Sequence, residues 1–152
     1  MVRKHKAQRL RSKAELLPLP MSTVRDISLE NHLALATMRA GHGFAEIMIA
    51  LLRVLYLTYF AVEPDVLEED RVLFLEVESA LQQSIDEADG ERDWQVSDAA
   101  LEVIERLLLR SDAIIGSVPK YRYLDAWDRL SRFAKSADRS PIPGSQLKEA
   151  WA

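Results

Sequence analysis

The chain contains no cysteine. That excludes a disulfide framework, a thiolate nucleophile and any zinc site with a cysteine ligand, and nothing calls for an oxidising compartment. Histidine is nearly as scarce, with three in all. His5 lies in a basic stretch, His32 in a helical pattern near Glu30, and His42 between two glycines. A di-iron helical bundle needs Glu-x-x-His on its helices, and that tetrapeptide is absent. His42 with Glu46 makes a single i, i+4 pair with no second pair to complete a metal site, so it reads as a surface or capping histidine.

Other signatures are missing too. There is no G-x-x-x-x-G-K-[ST] and no G-x-S-x-G, which removes P-loop phosphate binding and α/β-hydrolase chemistry. Gly41-x-Gly43 imitates the start of a dinucleotide fingerprint, but the third glycine and the preceding strand are lacking. Apolar and polar residues nowhere alternate as a strand requires. No catalytic residue, metal ligand or cofactor follows from the sequence, and the expectation is a protein that is not an enzyme.

What is present is helical patterning and divided charge. Of 152 residues, 48% are hydrophobic and the net charge is −4. Met1 to Lys13 carries Arg3, Lys4, Lys6, Arg9, Arg11 and Lys13 with no acid. Such a stretch neutralises phosphates by counterion release, so these six form a candidate polyanion-binding arm, open also to an acidic protein or an anionic membrane surface. Twelve carboxylates fall between Glu63 and Asp93 against only Arg71 and Arg92. They read as a solvated face, with Glu68, Glu69, Glu76 and Glu78 as a candidate acidic docking face.

The expected fold class is all-α, an antiparallel bundle of four to five helices. Residues 1–20 are read as the basic arm and a proline-containing connector, 21–135 as one helical domain, and 136–152 as a disordered tail, since Pro141 and Pro143 block further helix. The first helix is expected from Ser22 or Thr23, with Thr23 and Asp26 at capping-box spacing. It carries Ile27, Leu29, Leu33, Ala36 and Ala40 and stops at Gly41. Phe44 to Val62 is apolar on nearly all sides, so it is either buried or in lipid. Arg53 at its middle would cost about 2.5–3.5 kcal/mol in a bilayer, which favours a buried central helix. A third helix follows, with Pro64 in its first turn and Leu67, Phe74, Leu81 and Ala88 at seven-residue steps. Ser97 caps a fourth. A fifth begins at Pro119 with Tyr123, Leu124, Trp127, Leu130 and Ala134 inward, and with Asp125–Arg129 and Asp128–Arg132 as outer i, i+4 pairs.

The segment HLALATMRAGHGFAEIMIALLRVLYLTY, His32 to Tyr59, resembles short helical proteins of Gram-negative bacteria often labelled Fis-family regulators. The resemblance implies a bacterial cytoplasmic protein with a role in DNA binding or regulation, though the helix after the turn offers only Arg53 to a DNA groove. Ala14 to Pro20 contains Glu15 and two prolines, so no secretory apolar region is read there, and the Arg-rich start also fits an organellar presequence. The leading expectation is a non-catalytic protein-interaction or regulatory module of a bacterial cytoplasm. A DNA-associated regulator using the basic arm comes second, and a membrane-attached protein using residues 44–62 third. The partner classes are another protein, DNA or a second copy forming a homodimer.

Overall fold

The computed structural model describes residues 10–88 and 94–149, and every regular element among them is helical. In chain order these are α1 (Lys13–Leu16), α2 (Met21–Arg39), α3 (Ala45–Val62), α4 (Glu68–Ala88), α5 (Asp98–Ile115), α6 (Lys120–Ala134) and α7 (Gln146–Glu149). The fold is all-α, and the described residues form a bundle of five long helices with a short helix at each flank.

Local chemistry sets several of the boundaries. α2 ends in a Schellman motif: Gly41 takes φ +82°, its N–H bonds the Met38 carbonyl, and the His42 N–H reaches back to Thr37. The reversal lets α2 and α3 pack as a hairpin. Ser97 caps α5, its hydroxyl accepting from the Ala100 N–H. α2 starts earlier than its capping-box spacing suggests, directly after Pro20 and without a side-chain cap. Pro64 lies outside α4, in a turn closed by the Asp65 N–H on Val62, and its peptide bond with Glu63 is cis. The helix begins at Glu68, where Glu68, Glu69 and Asp70 complement its dipole.

α3 is the axis of the bundle, packed by α2, α4, α5 and α6. Residues Val54 to Ala61 are buried without a break, which only a helix surrounded by other helices can achieve. α3 is also the one described helix long and apolar enough to cross a membrane, with a mean hydropathy of 1.7. Here 56% of that helix is buried inside the bundle, with Ile49 left exposed. Leu51, Leu55, Phe74, Val77, Leu81, Ile104, Leu107 and Leu108 are fully buried around it, and Tyr56, Phe60 and Phe133 pack edge-on and tilted where α6 crosses.

Three inward faces differ from the sequence reading. In α2 the core takes Ala34, Leu35 and Met38, leaving Leu29 and Leu33 exposed and Ala36 and Ala40 outside. The helix is apolar on two sides, so spacing alone cannot choose the stripe. In α4 Leu67 is exposed because it precedes the first turn. In α6 the buried residues are Ala126 and Leu130, while Leu124 is exposed and Trp127 half-exposed. Arg129, read as a partner for Asp125, instead reaches across to the Glu63 carboxylate, and Arg122 donates to the Glu63 carbonyl.

The chain outside the bundle is more ordered than its composition implies. Leu19 is buried, the Lys120 N–H bonds the Leu17 carbonyl, and Pro18 pairs with Pro119 as an isolated bridge. Of the expected disordered tail, 136–152, residues 150–152 lie outside the described residues, and the stretch 140–145 packs on α4 with Ser140, Ile142 and Ser145 fully buried. A Pro143–Gly144 turn, closed by the Ser145 N–H on Ile142 with Gly144 at φ +83°, folds the segment back.

Candidate functional site

Of the basic arm, Arg3, Lys4, Lys6 and Arg9 lie outside the described residues. Arg11 stacks over the Tyr121 ring with its guanidinium carbon 3.8 Å from the centroid, and Lys13 opens α1, which packs on α6. The root of the arm is therefore fixed beside Lys120 and Arg122.

The four residues of the acidic face are not brought together on one surface. Glu68, Glu69 and Glu76 are exposed. The Glu68 carboxyl, hydrogen-bonded by Arg71 at 2.9 Å, is held below its ordinary pKa. Glu78 must be removed from the face, because it is 3% exposed. It accepts hydrogen bonds from Tyr56 at 2.8 Å, from Ser140 at 2.6 Å and from Ser145. It thus joins α3, α4 and the C-terminal segment from the inside. Burial first, and then the nearby Glu78 charge, push the Tyr56 phenol far above its ordinary pKa. The signal for this was local: Glu78 stands four residues after Phe74 and three before Leu81, inside the apolar stripe of α4.

Other polar groups are also engaged in ties between helices. Arg110 forks onto Asp70 at 2.8 and 3.0 Å, joining α5 to the start of α4, and that hydrogen bonding raises the Arg110 pKa. His32 donates to Asp112 at 2.9 Å between α2 and α5. His42 is exposed in the α2–α3 turn. Among the described residues no group of three or more His, Cys, Asp or Glu could hold a metal ion.

What remains is a cleft with a volume of about 380 Å³, floored by α3 and walled by α2, α5 and α6. Its α3 side is Ile47, Ala50, Arg53, Val54 and Leu57, spaced as one helical face. Ile27, Leu33 and Ala34 of α2 form one wall, Ile115 of α5 closes the back, and Tyr123 and Trp127 of α6 form the other, their rings meeting edge to face at 6.4 Å. Ser111 is the polar residue at the back, and its Oγ lies 2.8 Å from Thr58 Oγ1. It is already engaged, so the interior presents mainly apolar surface. The charged residues of the lining are Glu30 and Arg53, both exposed, with Asn31 beside them. Neither forms an ion pair among the described residues. Sequence reasoning registered Arg53 as a cost in a bilayer and as the one basic residue that its helix offers to a DNA groove, and placed Trp127 in the core. Only the tertiary fold shows that both border one concavity.

No family model, curated protein or solved structure matches this chain.

Proposed function

We propose that this protein works by binding and not by turnover, as a non-catalytic regulatory or interaction module whose working surface is the cleft between α2, α3, α5 and α6. The observation that carries this reading is the contrast within the polar inventory. Glu78, Asp70, Arg110, His32 and Asp112 tie helix to helix and Arg129 ties α6 to the end of α3. The cleft, in contrast, is mainly apolar, concave and bordered by Arg53, which forms no ion pair among the described residues. Small-molecule and peptide sites share that character: an apolar hollow of about 300–1,000 Å³ with few polar groups.

The reading is tested by blocking the cleft in the living cell. Ala50→Phe fills it and Leu33→Asp puts a charge on its exposed rim, while Leu109→Asp makes the same change on an exposed leucine elsewhere. With folding checked by far-UV circular dichroism, the two cleft variants should fail to restore the phenotype of a deletion strain and Leu109→Asp should restore it. Full restoration by both cleft variants contradicts the reading.

A second reading, a DNA-associated regulator, is favoured by the anchoring of Arg11 and Lys13 next to Lys120 and Arg122. It requires duplex affinity that falls steeply with salt, with a log–log slope approaching about five if six arm bases neutralise phosphates. Mobility shifts at two salt concentrations, with residues 1–13 deleted in parallel, decide it. Binding that survives the deletion or ignores salt removes the arm from the account.

A further inference from the structure

The occupant of the cleft can be argued from its own chemistry, an inference that rests on the binding-module reading above. The lining is largely aliphatic and aromatic: Ile27, Ile47, Val54, Leu57 and Trp127 border the cleft, with Leu33 on its rim. Its one buried hydroxyl, Ser111, is already bonded to Thr58. A ligand body that enters meets mainly apolar surface, with Asn31, Thr37 and Tyr123 as the other uncharged polar residues of the lining. An apolar body is therefore favoured over a polar one, which would lose its water for few partners.

The rim asks for the opposite. Arg53 is the only cation of α3, and it projects from the same helical face as Ala50, Val54 and Leu57. Neither Asp nor Glu pairs with it among the described residues. A guanidinium beside apolar walls is only partly screened by water, and its planar fork matches a carboxylate held by two parallel bonds. Glu30 on the same rim would repel a second negative charge, which favours a head group with a single one.

We infer that the cleft takes a small amphipathic monocarboxylate, its apolar chain lying along α3 between α2 and α6 and its carboxylate meeting Arg53 at the rim. From Ile47 to Leu57 the floor runs about 15 Å along the helix axis, so the site suits an extended chain of medium length better than a compact ring system.

Isothermal titration of the full chain with decanoate, decanol and decyltrimethylammonium, each below its aggregation concentration, varies the head group on one chain length. Decanoate should bind one to one, and decanol and the ammonium each at least about tenfold more weakly, since a charge-assisted pair at a partly exposed rim is worth about that factor. Arg53→Met keeps the apolar stem of the side chain, so decanoate should fall to the level of decanol while decanol itself binds unchanged, which also shows the cleft intact in the variant. Equal binding of decanoate and decanol, or no response to Arg53→Met, overturns the carboxylate assignment and leaves the cleft-binding reading standing. No binding by any of the three overturns the amphipath itself; if the cleft variants still fail in the cell, the cleft-binding reading stands with an occupant of other chemistry.

Discussion

Replacing Glu78 with alanine gives the sharpest test of how this bundle is held together. The side chain sits at 3% exposure and accepts from Tyr56, Ser140 and Ser145, which are themselves 7%, 0% and 0% exposed. A hydrogen bond to a charged group contributes about 1.5–3 kcal/mol, and a buried hydroxyl left without an acceptor costs about 1–3 kcal/mol. The three contributions are not additive, because releasing the C-terminal segment would let water reach both serines. We expect a net loss of about 3–5 kcal/mol. For a chain of this length that lowers the melting temperature by about 6–20 °C. Thermal melts followed by circular dichroism give the first measurement, and limited trypsin digestion, which cuts at the exposed Lys135 and Arg139, gives the second. In Glu78→Ala the segment 136–149 should be cleaved early, before the bundle. Glu76→Ala, two residues away and exposed, should change stability by no more than about 0.5 kcal/mol. If Glu78→Ala melts like Glu76→Ala and resists trypsin equally, the buried carboxylate does not hold the segment and the reasoning fails.

Tyr56 makes stability pH-dependent on the alkaline side. Its folded pKa is raised above the ordinary tyrosine value near 10, so its contribution is complete below that pH and is lost above it, by up to about 1.4 kcal/mol per pH unit. Urea unfolding between neutral and alkaline pH should show a decline that Tyr56→Phe reduces; identical alkaline slopes for the two proteins would refute this. Gly43→Ala should cost about 1–3 kcal/mol, because the new methyl group would fall on Met38 and on the Trp94 carbonyl, and backbone cannot step aside. A melting temperature equal to that of the parent would show that this approach is looser than it looks. Arg110→Met removes both bonds to a nearly buried Asp70 and should cost about 1–2 kcal/mol, the exposed side of the arginine discounting the full value of a buried pair. Asp70→Asn with Arg110→Met should then cost less than the two changes summed, as a double-mutant cycle would report.

How much of this could be read from the sequence depended on whether the decisive interaction was local. The long helices were legible because their boundaries are written within a few residues: Gly41 after α2, Ser97 before α5 and Pro119 before α6 each act through neighbouring backbone groups. The burial of α3 followed from its lack of a polar side. The choice of face on α2 and α6 did not follow, since Leu29 and Leu33 are as apolar as Leu35, and Trp127 as apolar as Leu130; which side is covered depends on where α3 lies. The C-terminal segment was misjudged for the same reason. Its serines, prolines and glycine look like a solvated tail until Glu78, more than sixty positions away in the chain, supplies acceptors for two of its hydroxyls. The cleft was the least legible feature, because its lining comes from four helices and no one of them carries a motif.

The binding claim is tested most directly by isoleucine-methyl NMR during a decanoate titration. Three isoleucines line the cleft, Ile27, Ile47 and Ile115, while Ile104 and Ile142 lie elsewhere in the core and Ile85 packs against it. Saturable shifts of the first three with the second three unmoved are the predicted result. Shifts centred on Ile85 or Ile142, or none that saturate, would contradict the assignment of the cleft as the site.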